Sequence, residues 1–168
     1  MTKTAKFNKA PWAVRAAFLT NGLIVGALYA RIPDIKASLG LSNSQVGTVL
    51  LAASVGVLLM ISQVGKWCAV RGSRPIVILS SYISALTILP LAITQNFLLL
   101  CLAFLLWGAF LTMQDVAMNA HASTVEHVEQ RRYMSGFHGV FSIGALLGGV
   151  IGGIASQYEI SILRQNLA

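Results

Sequence analysis

Charge is what this sequence has least of. Only 10% of its residues are Asp, Glu, Lys or Arg, and five of the 168 are acidic. A soluble domain would carry charge on about one residue in four. Apolar residues fill the deficit: they make up 56% of the chain, with a mean hydropathy of +0.74. That composition excludes an ordinary water-soluble globule and implies a protein whose solvent is the lipid bilayer. Cysteine is nearly absent too. Cys68 and Cys101 stand on different segments in no metal-like spacing; they read as small buried hydrophobes, and nothing suggests a disulfide framework. His121 and His127 read as loop residues and make no metal set with the cysteines. No G-x-S-x-G, H-E-x-x-H or phosphate loop occurs, so no catalytic residue, metal or cofactor is expected and the chain does not read as an enzyme. The net charge of +7 could draw nucleic acid. The basic residues, however, fall in short clusters between apolar runs, not in a stripe interleaved with aromatics, which sets nucleic-acid binding aside.

What is there is long apolar runs. They predict an all-α, polytopic membrane protein, a single transmembrane domain over 1–168 with five spans near 13–32, 46–64, 75–93, 97–119 and 135–155. Each approaches the ~20 residues that cross a bilayer core. The start is basic, but the first run is long and no clean cleavage site follows, so it reads as an uncleaved helix with Trp12 at the interface. Arg15 and Arg31 near its ends suit snorkelling to water. Pro33 is predicted to stop it, with a loop to Asn43. A polar turn is predicted over 65–74. Pro75 opens the third span and Pro90 is placed to kink its far end. The helix carrying Asn119 meets no breaker in A-H-A-S-T-V-E, and the last thirteen residues are too short to span. With the N-terminus inside, Lys3, Lys6, Lys9, Arg15, Lys66, Arg71, Arg74, Arg131 and Arg132 face the cytoplasm, against Arg31, Lys36 and Arg164 outside. That bias predicts a cytoplasmic N-terminus.

One carboxylate stands out. Asp115 lies inside the fourth apolar run, where an ionisable group is costly and by default marks a pathway or binding site. Gly108, Thr112, Asp115 and Asn119 recur at helical spacing and form a small, polar stripe, while Leu106, Phe110, Met113 and Ala117 form a stripe expected to face lipid. A bland reading places Asp115 at the membrane surface or in a bond to a neighbouring helix. Asn119 could hold it or a solute, or could link helices. His138, with Ser142 one turn on, is either a site residue or an interfacial histidine. Asn21 and Tyr29 are the polar groups the first helix could offer a cavity. Trp107 reads as a stacking platform or as plain packing. Small-xxx-small steps, suited to close helix contact, occur at Gly22 and Gly26 and at Gly144, Gly148 and Gly152. Gly47, Gly56 and Gly65 suggest a thin side on the second helix.

These segments together resemble the major facilitator superfamily. The turn from Gly65 to Arg74 resembles that family's gating loop, G-x-x-x-D-R-x-G-R-[RK]. Gly65, Gly72 and Arg74 match it, whereas the family's Asp falls on Ala69, its Arg on Val70 and its second Arg on Ser73. The conformational lock ascribed to that Asp is therefore not carried over. F-L-T-N-G-L-I-V-G-A-L-Y-A-R-I-P-D-I-K, Q-D-V-A-M-N and M-S-G-F-H-G-V-F-S-I-G are similar to the fucose-permease-like branch of sugar transporters. In that branch a helix-4 acid four residues before an Asn is tied to substrate and proton, and Asp115 and Asn119 fit this pattern. The branch's helix-1 acid is lacking; Tyr29 stands near its place. No Pro occurs between Gly136 and Gly153, unlike the antiporter motif, so symport or uniport is expected. The resemblance implies a bacterial inner-membrane protein that moves a small polar solute, such as a sugar, with or without a proton. It also implies that helix 6 and the C-terminal half are missing, and that this truncated chain would need that half as partner. The rival expectation is a membrane-embedded interaction protein that associates through its glycine-rich helices and moves nothing.

Overall fold

The computed structural model describes residues 9–167, so Lys3 and Lys6 of the orientation argument lie outside the described residues. Among the described residues the chain forms helices and no strands: α1 (Ala10–Ser38), α2 (Asn43–Arg71), α3 (Ser73–Leu86), α4 (Ile88–Ile93), α5 (Phe97–Glu129), α6 (Met134–Gln157) and α7 (Ile162–Leu167). Five segments are long and apolar enough to cross a membrane: α1, α2, α3 with α4, α5 and α6. Large apolar side chains crowd the outside, with Leu58 71% and Leu98 73% exposed. In a bilayer such a surface needs no cover, and each helix satisfies its backbone internally.

The helix ends follow local chemistry. Ser42 and Gln45 form a reciprocal capping box at the start of α2. Asn96 accepts from the amide of Leu98 at 2.8 Å to start α5. Glu126 near the end of α5 accepts from the amides of Tyr133 and Met134 and so starts α6. Three expectations are corrected. First, α1 continues through Pro33 to Ser38. Proline removes one backbone donor, but side-chain ties flank it. The Arg31 guanidinium pairs with Asp34 at 3.0 Å and donates to the carbonyl of Ile160 at 2.6 Å, and Ser156 donates to Asp34 at 2.8 Å. Arg31 therefore does not snorkel; it is buried. Second, the turn expected over 65–74 shrinks to Gly72, because nothing between Gly65 and Arg71 breaks a helix and Gly72, at φ +80°, supplies the stop. Third, α5 runs to Glu129, so His121 and His127 lie on a helix, not in a loop. Pro90 acts as expected: the helix breaks at Thr87, near the Leu86 carbonyl against which its ring would press.

α1 packs along α6, α2 along α5, and α3 against α5. The first two seams are backbone against backbone. A methyl group on Gly22 would collide with the Phe141 carbonyl, and one on Gly144 with the Leu19 carbonyl. Gly26, Gly148 and Gly152 continue the same α1–α6 seam. Gly56 meets the Leu105 carbonyl and Gly108 the Ala53 carbonyl across the α2–α5 seam. Gly47 and Gly65 face open space, so the thin side expected on α2 narrows to Gly56. α5 is the hub: Phe104 and Trp107, Met118 and Ala122, and Met113 and Ala117 each enter a different buried cluster.

Gly148→Val should destabilise the fold, because its side chain has only backbone to displace: the Leu23 carbonyl, and the Ala27 amide at 2.9 Å. Overpacking of this kind costs about 1–3 kcal/mol, read by denaturant unfolding in detergent micelles. Gly153→Val, which meets nothing within 4 Å, should stay within about 0.5 kcal/mol of the parent.

Candidate functional site

Near the middle of α5 the helix surface turns polar. At 1.5 Å per residue, Asp115 lies roughly 20 Å from the end of the helix at Glu129, deep in the apolar run. Its side chain is exposed. Asn119, one turn on, donates through Nδ2 to Asp115 Oδ1 at 3.2 Å and to the Asp115 backbone carbonyl at 2.8 Å. One oxygen of the carboxylate is thus held against its own helix. His138, exposed in the second turn of α6, faces the carboxylate closely enough to act on it electrostatically. The edge of the Phe18 ring fixes the imidazole at 5.3 Å, and Phe18 in turn stacks on Phe137. Ser142 donates to the His138 carbonyl at 3.1 Å, so it steadies the backbone and not the ring. An acid bonded to an amide therefore lies on α5 where α1, α5 and α6 converge, with an imidazole of α6 near enough to act on the acid, and the three offer both hydrogen-bond donors and acceptors.

The other candidates are placed differently. Tyr29 is 52% exposed on α1 and meets the edge of Trp107 at 6.0 Å. Trp107 precedes Asp115 by eight residues, about 12 Å along the helix axis. Trp107 itself is buried against Phe104 and belongs to the packing. Asn21 is 2% exposed, and its Nδ2 has no partner. It sits inside the helix packing, apart from the exposed group around Asp115. Of the stripe Gly108, Thr112, Asp115 and Asn119, the first two are buried, and Thr112 donates to the Gly108 carbonyl at 2.8 Å. The stripe expected to face lipid is corrected. Met113 and Ala117 are buried with Val64 and Ile76 against α2 and α3, and of the four only Leu106 is exposed. Gly65 lies within α2, Gly72 forms the link to α3, and Arg74 is exposed in the first turn of α3. Among the described residues no three His, Cys, Asp or Glu side chains gather as a metal site would require.

Sequence reasoning passed over one polar group. Gln114 is fully buried; Ser84 donates to its Oε1 at 2.6 Å, and its Nε2 donates to Ser81 at 3.3 Å. The signal was available as the S-S-x-x-S run of residues 80 to 84, a hydroxyl-rich face in an apolar span. This bond fastens α3 to α5. Gln114→Leu should lower the thermal stability of the protein in detergent by about 0.5–2 kcal/mol, the range for one polar link between membrane helices. Ser84 keeps its bond to the Ser81 carbonyl at 3.2 Å, which limits the loss.

Fold and site together define a multi-pass helical membrane protein with a polar group exposed midway along one of its spans. The sequence model of the Major Facilitator Superfamily matches residues 16–161, and the chain belongs to that family. It is 35% identical over 145 residues to an uncharacterized MFS-type transporter of Yersinia pestis, covering 86% of this chain and 37% of that protein. It is 30% identical over 153 residues to an uncharacterized transporter of Sinorhizobium fredii, covering 90% of this chain and 41% of that protein. It is 32% identical over 144 residues to the membrane protein MosC of Rhizobium meliloti, covering 83% of this chain and 35% of that protein. The chain thus spans about two fifths of the length of the curated relatives it matches. No solved structure matches it.

Proposed function

We propose that this chain forms the N-terminal portion of a transporter that moves a small polar solute across the bacterial inner membrane by alternating access. A sugar is the class we favour, with a proton as the coupling ion. One observation carries this reading: the Asp115 carboxylate is exposed on a long apolar helix, tied to Asn119 and faced by His138. An ionisable group at that depth is kept only where it does work or lines water. Hydroxyl groups of a solute pair well with an acid, an amide and an imidazole, and Tyr29 would extend the site along α5. In a carrier built of two halves, solute binds between them near the midplane, and the open side of Asp115 is where a second half would close the cavity. The family match and the transporter names of two relatives support transport in general; the solute, the proton and the branch are our inference. The interaction-protein reading has less to stand on, because the glycine stripes of α1 and α6 face each other within the chain.

Asp115→Asn in the transporting form should weaken solute binding about ten- to hundredfold, the equivalent of one charge-assisted hydrogen bond. It should also abolish any proton dependence of uptake. Uptake by intact cells measures both, and unchanged uptake would remove Asp115 from the site. The orientation we propose puts the basic end in the cytoplasm. A cysteine introduced as Arg132→Cys should then resist a membrane-impermeant maleimide in intact cells and react once the cells are opened; labelling in intact cells would reverse the topology.

A further inference from the structure

The Arg31 guanidinium, where α1, α4 and α7 meet, is only partly satisfied. Arg31 is 4% exposed, so its donors have to find partners inside the protein. Nη2 donates to the Ile160 carbonyl at 2.6 Å, just before α7 begins. Nε is ion-paired with Asp34 Oδ2 at 3.0 Å, in a contact too oblique for a hydrogen bond. Nη1 is shut off from solvent and, among the described residues, has no hydrogen-bond partner.

A complementary group belongs to α7. Gln165 Oε1 is an acceptor, is also shut off from solvent, and among the described residues has no donor. Arg31 and Gln165 do not bond each other, yet both line one cavity of about 10 Å³. The rest of its wall is aliphatic: Ala27 and Leu28 of α1, Ile88 of α4 and Ile162 of α7. That volume is of the order of a single water molecule, and such a cavity holds water only where polar groups line it. Charge narrows the occupant further. Asp34 already balances Arg31, and the Gln165 oxygen would repel an anion. The guanidinium would repel a cation. What fits is a neutral molecule no larger than water that accepts on one side and donates on the other.

We propose that this cavity binds one water molecule, which accepts from Arg31 Nη1 and donates to Gln165 Oε1. The bridge fastens α7 to α1 at a second point, beyond the bond from Arg31 to the Ile160 carbonyl. At six residues α7 is too short to hold as a helix unaided, so its place depends on such links. The site is independent of Asp115 and of what the protein transports.

A crystal structure that resolves ordered solvent tests this. One solvent peak should lie within about 3.2 Å of both Arg31 Nη1 and Gln165 Oε1. Gln165→Leu, of similar size but without the acceptor, should lose the peak and melt about 2–4 °C lower in detergent. Arg164→Gln, which changes an exposed residue of the same helix, should leave the peak and the melting temperature as they are. A direct bond between Arg31 and Gln165 with no peak overturns the proposal. So does an ion in the cavity, recognised by its anomalous signal. A melting temperature that Gln165→Leu leaves unchanged, or that Arg164→Gln lowers equally, overturns the claim that the bridge holds α7. The parent structure decides the water site even where the leucine variant does not fold.

Discussion

Two backbone-to-backbone seams carry this structure. In lipid there is no hydrophobic drive between helices, since a hydrocarbon tail is as apolar as Leu, so association depends on close packing and a few polar links. Gly22, Gly26, Gly144, Gly148 and Gly152 let α1 and α6 approach until carbonyl oxygens fill the space that side chains would occupy. Gly56 and Gly108 do the same for α2 and α5. The α1–α6 seam sets Phe18 against His138, and that imidazole lies near enough to Asp115 of α5 to act on it electrostatically.

The polar links are few and each joins elements distant in sequence. Arg31 and Asp34 hold α1 to the far end of α6 and the turn after it, through Ser156 and the Ile160 carbonyl. Gln114 with Ser81 and Ser84 holds α3 to α5. Each group would be costly alone in an apolar medium, and each is placed where a partner from another helix meets it. This explains why α1 survives Pro33. The donor that proline lacks is one backbone bond, while the ties at Arg31 and Asp34 on either side hold the last turns in line.

Much of this was legible in the sequence, and the limits have physical causes. Helix class and the number of apolar spans follow from composition, because a bilayer admits only helices and closed barrels. Helix ends were less legible. Pro33 reads as a stop by local propensity alone, which misses the tertiary hydrogen bonds that Arg31 and Asp34 make with the Ile160 carbonyl and Ser156. Gly65 reads as a loop residue by family pattern, yet the residues after it are all helix-compatible, so the chain turns at Gly72. The faces of α5 were the hardest. A polar stripe and an apolar stripe predict an inside and an outside, but α5 packs against α1, α2, α3, α4 and α6. Met113 and Ala117 are therefore buried against α2 and α3, while Asp115 stays open. Hydrophobic periodicity reports a single inside; a hub helix has several.

That inversion bears on what the open side of Asp115 is for. A leucine left uncovered on this bundle meets lipid at no cost, and many are. A carboxylate left uncovered at the same depth would meet hydrocarbon, which the energetics of a buried charge do not allow. Asn119 satisfies one oxygen of the group, and His138 reduces its isolation from one side only. The remaining oxygen requires water, a proton, a solute or another polypeptide. On the transport reading proposed above, the first three would be the contents of a cavity and the fourth a wall that closes it. The same carboxylate is therefore the feature that distinguishes this face from the leucine-rich faces around it, which meet lipid at no cost.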